Sequence, residues 1–253
     1  MQRAALEHAG LGDWRYQLLP IPPSMFEQTV RALPGAGFRG INVTIPHKLA
    51  ALALATSATS CARAIGAANT LVFGDGGTIA ADNTDAPGLI DALRERLGSL
   101  AGVSAMVLGA GGTARSAVWA LHDAGAGRVS VWNRTPERAA ALCAELGGTP
   151  VDRPVPADVL IQCTASGLLG EQTIEGLNEW LIGADNAREY EIVTDFVYRE
   201  GGTQLTNAAR ARGIEVVDGL ELLVRQGARS FTAFTERAAD VPAMRVAAGS
   251  AIR

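Results

Sequence analysis

The sequence predicts an α/β protein with two domains, the second of which contains a doubly wound parallel sheet. Between residues 103 and 195, short apolar runs alternate with helical stretches, a pattern typical of parallel strands joined by crossover helices. Residues 69–73 and 77–81 read as strands on either side of a Gly-Asp-Gly turn, which predicts a hairpin in the first domain. A chain of 253 residues is long enough for two domains of ordinary size.

The elements of the first half follow from local signals. Ser24 and Glu27 have the spacing of a capping box, ahead of a helix that ends near residues 34–35. Residues 40–44 read as a strand, and Pro46 then begins a helix at a position where its missing N–H does no harm.

The second half alternates more regularly. A connecting helix over 91–100, followed by Gly102, marks the boundary between the domains. The later predicted elements are strands 103–108, 128–132, 158–163 and 191–195 and helices 113–124, 136–146 and 219–237. The domain bounds that we expect are 1–88 for the first domain, 89–218 for the second, 219–239 for a helix that packs back on the first domain, and 240–253 for an irregular tail.

Composition narrows the possible functions. The chain is 48% hydrophobic and 19% charged, which is typical of a folded globular protein. A net charge of −4 argues against a nucleic-acid partner. The three cysteines and three histidines lack metal-ligand spacing, so we expect no metal site and no disulfide framework. No signal peptide and no membrane-spanning run is predicted, so we expect a cytoplasmic protein without a membrane partner.

Two segments of the first domain contain candidate catalytic residues. Residues 40–48 end in Lys48 after a strand-like run, and residues 82–85 end in Asp85 just before a helix. A lysine and an aspartate in one cleft can share the proton of a sugar-like hydroxyl, as hydride transfer to or from a nicotinamide requires. Taken singly, Lys48 also suits a solvated surface position, and Asp85 also suits a helix cap.

A glycine-rich turn lies between an apolar run and a helix in the second half. Its sequence over 109–114 is GAGGTA, in which an alanine stands at the third glycine position of the dinucleotide-binding pattern. Such glycines let backbone N–H groups approach a pyrophosphate, whereas the alternative is an ordinary turn between strand and helix. The candidate cofactor-binding residues of this turn are Gly109, Ala110, Gly111, Gly112 and Thr113.

The end of the next strand indicates which dinucleotide is bound. An NAD enzyme carries an acid there for the ribose 2′-hydroxyl, but this chain has Asn133, Arg134 and Thr135, with Arg138 one turn later. Positive charge and hydrogen-bond donors suit a 2′-phosphate, so NADP is favoured over NAD. The alternative is that Arg134 is a solvated residue at a helix start.

Together these segments resemble the shikimate dehydrogenase family, which includes shikimate/quinate dehydrogenases, over nearly the whole chain. The motifs that carry the resemblance are NVTIPHK at 42–48, GAANT at 66–70, NTDAPG at 83–88, GAGGTA at 109–114, NRT at 133–135, DFVY at 195–198 and DGLELLVRQG at 218–227.

The resemblance implies an oxidoreductase that reduces 3-dehydroshikimate to shikimate reversibly with NADPH, in aromatic amino-acid and chorismate biosynthesis. It implies a substrate-binding first domain and a Rossmann-like NADP domain. It also implies that the protein is a monomer or homodimer and that it binds a small-molecule substrate. Lys48 and Asp85 match the family's catalytic pair. The other matched positions are Thr44, Asn69, Tyr198 and Gln226, with Asp85, toward substrate, and Phe196 and Gly219 toward the nicotinamide.

Several alternatives stay open at this point. Asn69 also suits a turn, and Tyr198 suits the edge of a core. A quinate- or shikimate-like dehydrogenase of different substrate preference, or a weakly active NADP-binding relative, fits the same motifs.

The resemblance also implies a first strand and a Ser-x-Ser-Pro turn for the substrate carboxylate, which this sequence lacks. From that departure we expect a late start site or a shortened chain, and weak turnover of shikimate by these 253 residues.

Overall fold

The computed structural model describes residues 1–166 and 190–250. The helices are α1 (Gln2–His8), α2 (Phe26–Ala32), α3 (Lys48–Leu54), α4 (Ser60–Ile65), α5 (Asp85–Leu97), α6 (Gly112–Asp123), α7 (Pro136–Leu146), α8 (Gln204–Ala211), α9 (Gly219–Thr235) and α10 (Val241–Ser250). The strands are β1 (Gly40–Asn42), β2 (Ser57–Ala58), β3 (Thr70–Phe73), β4 (Ile79–Asp82), β5 (Ser104–Leu108), β6 (Arg128–Trp132), β7 (Thr149–Pro150), β8 (Val159–Gln162), β9 (Ile192–Asp195) and β10 (Glu215–Val217).

The first sheet has four strands in the order β1-β3-β4-β2. β3 and β4 form the predicted antiparallel hairpin, with Leu71 opposite Ala81, and β2 joins β4 in parallel. β1 lies on the other side of β3, antiparallel to it. Apolar side chains of this sheet pack with α2 and α3 in one core, so α3 is held against the sheet by its buried Ala51 and Leu54.

The second sheet has six parallel strands in the order β10-β9-β8-β5-β6-β7. β5 and β8 are neighbours in the sheet although they are not consecutive in the chain, so the strand order reverses between them. In doubly wound sheets, ligands bind beyond the carboxyl ends of the strands at such a reversal. The sheet order and the crossover helices confirm the predicted fold class.

Helices cover both faces of the second sheet. Along β5, Ala105 and Val107 belong to the core shared with α5, α6 and α7, whereas Met106 and Leu108 belong to the core shared with α8. Alternate burial on both faces explains why this strand is a continuous apolar run in the sequence.

The C-terminal segment packs back on the first half, as expected for α9. This helix lies along α5 and also contacts β3 and α1. The predicted tail is partly wrong, because Val241–Ser250 forms α10, whose buried Met244 and Ala248 pack in a core with α1 and α9. Residues 251–253 of the predicted tail lie outside the described residues.

Other element bounds differ from the predictions for local reasons. The capping box at Ser24 does not form, since a short 3₁₀ turn over Pro23–Met25 precedes α2 and no side chain caps that helix. The helix expected from Pro46 begins at Lys48, and the connecting helix expected from residue 91 begins at Asp85.

We expect Gly219→Ala to lower the free energy of unfolding by about 2 kcal/mol, because a side chain there overpacks the start of α9. A Cβ atom on Gly219 would lie 2.4 Å from the Val197 carbonyl oxygen and 2.7 Å from the Tyr198 nitrogen. Gly249→Ala is the control, since its Cβ would meet no atom of residues 1–166 and 190–250 within 4 Å. Urea unfolding of both variants checks the prediction, and equal free-energy changes would contradict it.

Candidate active site

A buried ion pair lies where the two halves of the chain meet. Lys48 is the first residue of α3 and Asp85 is the first residue of α5. The Lys48 Nζ atom lies 2.7 Å from Asp85 Oδ2, and the two residues are only 8% and 6% exposed. The reading of Lys48 as a solvated surface lysine is therefore wrong.

Asp85 does not cap its own helix, so that alternative is also wrong. The Asn83 side chain does so instead, since its Oδ1 atom accepts a hydrogen bond from the Ala86 nitrogen at 3.2 Å. The second Asp85 oxygen, Oδ1, accepts a hydrogen bond from Asn69 Nδ2 at 2.9 Å. The position of Asp85 at the start of α5 also places its negative charge at the positive end of the helix dipole.

Asn69 has a fixed amide orientation. Its Oδ1 atom accepts hydrogen bonds from the Thr84 nitrogen at 2.8 Å and from Thr70 Oγ1 at 3.2 Å, so its Nδ2 faces Asp85. The same Nδ2 lies 3.4 Å from Gln226 Oε1 on α9. Gly88 makes this approach possible, because a Cβ atom there would lie 3.2 Å from the Gln226 nitrogen.

The start of α3 is fixed by His47. Its ring stacks on Phe26 with the centroids 4.4 Å apart, and its Nε2 donates to the Ile21 carbonyl at 2.9 Å. The preceding Ile45–Pro46 peptide bond is cis. Thr44, predicted to contact substrate, is exposed in this turn, and its hydroxyl has no hydrogen-bond partner among the described residues.

The glycine-rich turn follows β5 at the reversal of strand order. Gly109 has a φ of 112° and lies against Cys163 and Thr164, which follow β8. Within the described residues, Gly111 precedes α6 without a side-chain cap, and a Cβ atom on it would meet no atom within 4 Å. An uncapped helix start beside an open glycine is the cradle that a pyrophosphate requires, so the turn fits a dinucleotide.

The predicted 2′-phosphate residues follow β6. Asn133 Nδ2 donates to the Thr135 carbonyl at 2.9 Å, which closes the turn before α7. Arg134, Thr135 and Arg138 are exposed, and within residues 1–166 and 190–250 neither guanidinium has an ion-pair partner. Two unpaired cations beside the cradle fit a phosphate monoester.

The residues predicted near the nicotinamide follow β9. Phe196 is half-buried against the core of the second sheet, and Gly219 lies against the main chain of the same loop. The Tyr198 hydroxyl donates to the Ala248 carbonyl on α10 at 3.1 Å. Tyr198 and Gly219 line a cavity of about 400 Å³, but Tyr198 makes no hydrogen bond to the ion pair.

Polar contacts that the sequence did not single out join the two halves. Asn83 Nδ2 donates to the Ala67 carbonyl at 3.0 Å and to Ser116 Oγ on α6 at 2.9 Å. Arg115 Nε donates to the Ile65 carbonyl at 2.6 Å. Lys48 Nζ donates to Thr113 Oγ1 at 3.0 Å, which links the ion pair directly to the glycine-rich turn. Thus Lys48, Asp85, Asn69, Gln226 and Thr113 come together, whereas Thr44 and Tyr198 do not contact them.

One signal in the composition identifies the central residue. The sequence has 22 lysines and arginines, and Lys48 is the only lysine among them. Arginine does not release a proton in proteins, whereas lysine does. The only lysine of the sequence is thus the residue that pairs with the buried carboxylate of Asp85.

A doubly wound sheet, a dinucleotide cradle at its strand reversal and a buried Lys–Asp pair beside that cradle together define a nicotinamide-nucleotide-dependent oxidoreductase. Three family models match the chain in order. They are described as shikimate dehydrogenase substrate binding domain over residues 1–71, shikimate / quinate 5-dehydrogenase over 91–169 and shikimate 5′-dehydrogenase C-terminal domain over 219–248.

The chain is also similar to individual proteins of known sequence or structure. A shikimate dehydrogenase (NADP(+)) of Methylobacterium radiotolerans is 45% identical in an alignment of 231 positions, which covers 87% of this chain and 80% of the relative. The crystal structure of shikimate 5-dehydrogenase from Thermus thermophilus in complex with NADP(H) and shikimate is 35% identical, with a TM-score of 0.80 and 98% and 92% of the two chains covered. Ligand-free 5-ketofructose reductase of Gluconobacter sp. strain CHM43 is 27% identical, with a TM-score of 0.79 and 99% and 92% covered.

The chain belongs to the shikimate dehydrogenase family. The predicted family and the predicted class of NADP-dependent oxidoreductase are thereby confirmed. Among the described residues, none of the helices combines the length and the apolar character needed to cross a membrane.

We expect Asp195, at the end of β9, to make stability fall as pH rises. Burial raises the pKa of Asp195 to about 6, although hydrogen bonds from Thr203 Oγ1 and the Val197 nitrogen oppose the shift. Because the folded state holds this proton more tightly than the unfolded chain, its stabilising effect is present below about pH 4 and lost by about pH 6.

Asp195→Asn should remove this dependence, which amounts to about 3 kcal/mol for a shift of about two pKa units. Urea unfolding at several pH values measures it, as the difference between the wild type and the variant. Asp158→Asn is the control. Hydrogen bonds from Ser104 lower the pKa of Asp158, so this carboxyl makes the free energy of unfolding rise with pH, opposite to Asp195. Parallel pH profiles for the wild type and Asp195→Asn would contradict the prediction.

Proposed function

We propose that this chain catalyses the reversible, NADP-dependent reduction of 3-dehydroshikimate to shikimate, with Lys48 and Asp85 as the acid–base pair. The observation that carries the proposal is the buried 2.7 Å contact between Lys48 Nζ and Asp85 Oδ2, beside the glycine-rich turn. Family membership and the names of the curated relatives support the substrate and the cofactor.

The protonation chemistry follows from the contacts of Lys48. Its ammonium donates one hydrogen to Asp85 and one to Thr113, and the third has no acceptor among the described residues. In the direction of reduction, this third N–H protonates the substrate oxygen as negative charge develops on it. Asp85 holds the ammonium in place and stabilises its charge. In the direction of oxidation, Lys48 accepts the hydroxyl proton.

NADP supplies or accepts the hydride when it is bound. The main chain of residues 109–113 would hold its pyrophosphate at the start of α6, and Arg134 and Arg138 would hold its 2′-phosphate. Asn133 and Thr135 shape the same turn, and Phe196 and Gly219 border the position that the resemblance gives to the nicotinamide.

The substrate hydroxyls need fixed hydrogen-bonding groups. Asn69 and Gln226 lie on the Asp85 side of the pair and can supply both donors and acceptors. Thr44 and Tyr198 are proposed as substrate contacts only from the resemblance. In the structure, Thr44 is exposed and the Tyr198 hydroxyl donates to α10. The domain bounds 1–88, 89–218 and 219–239, a monomeric or homodimeric state and a cytoplasmic location stay predictions.

A second candidate concerns the substrate and not the reaction. One of the matching family models covers quinate as well as shikimate dehydrogenases, and 5-ketofructose reductase shares the fold at 27% identity. A quinate- or polyol-specific enzyme would use the same acid–base pair. The test is a nicotinamide absorbance assay with shikimate, quinate and 5-ketofructose, each with the NADP and the NAD form of the cofactor. Turnover of shikimate with NADP⁺ supports the proposal, and its absence refutes the proposed substrate.

We expect Lys48→Met to lower kcat by about a hundredfold or more, the usual contribution of a general acid–base group. Lys48→Arg keeps the charge but not the transferable proton, so it should lose a similar factor. Both variants should bind NADP⁺ as the wild type does, which calorimetry checks. A Lys48→Met enzyme of normal kcat, in a wild type that turns over shikimate, would exclude the pair from the chemistry.

We expect Arg134→Ala to lower kcat/KM for NADP⁺ by about tenfold or more, because it removes a charge-assisted contact to the 2′-phosphate. The value for NAD⁺ should stay within about twofold, since NAD⁺ lacks that phosphate. Arg31→Ala is the control, an exposed arginine on α2 that pairs with Glu27. Equal losses with both cofactors would contradict the assignment.

A further inference from the structure

We propose that Thr113, through its hydroxyl, and Gly112, through its lack of a side chain, position the ammonium of Lys48, in addition to the main-chain role of the glycine-rich turn toward the cofactor. The inference rests on the proposed function for its kinetic consequence. Its structural part, the contact between the turn and the lysine, stands on the described side chains alone.

The hydroxyl of Thr113 accepts a hydrogen bond from Lys48. Its Oγ1 lies 3.0 Å from Lys48 Nζ, and Thr113 is 7% exposed. A hydrogen bond to a charged group contributes more than one between neutral groups. Thr113 accepts a second of the three ammonium hydrogens, beside the one that Asp85 accepts, so the rotamer of the lysine is fixed from both halves of the chain.

The aliphatic part of the Lys48 side chain packs against Gly112. A Cβ atom on Gly112 would lie 3.1 Å from Lys48 Cβ and 3.2 Å from Lys48 Cδ. The aliphatic part of Lys48 therefore lies directly on the Gly112 main chain, and any larger residue displaces it. Gly112 has no positive φ, so the backbone itself does not demand glycine at this position.

Gly111 differs from its neighbour Gly112 in its surroundings. Its φ is also negative, and a Cβ atom on it would meet none of the described residues within 4 Å. The open space beside Gly111 is where a phosphate can approach the start of α6. Two adjacent glycines of one motif thus face different partners.

The test compares Thr113→Val, which removes the hydroxyl, with Thr113→Ser, which keeps it. We expect Thr113→Val to lower kcat by about tenfold or more, while KM and Kd for NADP⁺ stay within about twofold. Thr113→Ser should restore kcat. A rise in Kd for NADP⁺ with unchanged kcat would show that Thr113 only binds the cofactor and would overturn the proposal.

A second measurement does not depend on turnover. Because Lys48 is the only lysine, protein labelled with ¹⁵N at the lysine Nζ alone gives one ammonium resonance by NMR. In the cofactor-free protein, this resonance should move in Thr113→Val and Gly112→Ala and return in Thr113→Ser. It should stay in place in Gly111→Ala, for which only the Kd for NADP⁺ should rise. An unmoved resonance in both Thr113→Val and Gly112→Ala overturns the proposal.

The two measurements separate the two hypotheses. A wild type that oxidises no shikimate refutes the proposed function, while the resonance still decides whether Thr113 and Gly112 position Lys48. Thermal melts of each variant identify one that fails to fold, and Gly112→Ala then replaces Thr113→Val as the deciding variant.

Discussion

The buried contact between Lys48 and Asp85 is the interaction on which the rest of the site depends. Removing two charges from water costs several kcal/mol per ion, and attraction between them offsets this only when their remaining hydrogen-bonding groups are satisfied. Asn69 satisfies one carboxylate oxygen, Thr113 satisfies one ammonium hydrogen, and the start of α5 adds its dipole. The polar residues around the pair replace the water that it has lost.

These supporting residues also determine how the two halves of the chain meet. Asn83 caps α5 and reaches Ser116 on α6, while Lys48 reaches Thr113 in the turn that begins the same helix. The proposed acid–base pair and the glycine-rich turn therefore belong to one hydrogen-bonded network. Proton transfer and hydride transfer must act on the same carbon–oxygen bond of a substrate, so a shared network is what the chemistry requires.

The choice of basic residue reflects the same division of roles. Arginine provides the positive charge at the exposed turn proposed for the 2′-phosphate and in the surface ion pairs, where a permanent cation and several donors are sufficient. Lysine occurs once, beside the buried carboxylate of Asp85, where we propose that a proton moves.

The sequence by itself determined the features that depend on neighbouring residues. β6 and α7 have their predicted bounds, because an apolar run and a proline at a helix start are local signals, and the glycine-rich turn followed from its position between strand and helix. Only the tertiary structure decided what required distant partners. It turned the predicted tail into α10 by packing Met244 against α1 and α9, directed the Tyr198 hydroxyl to α10, and gave Gly112 and Thr113 a lysine as their neighbour. Such contacts join residues far apart in the chain, so no local pattern of propensity or spacing encodes them.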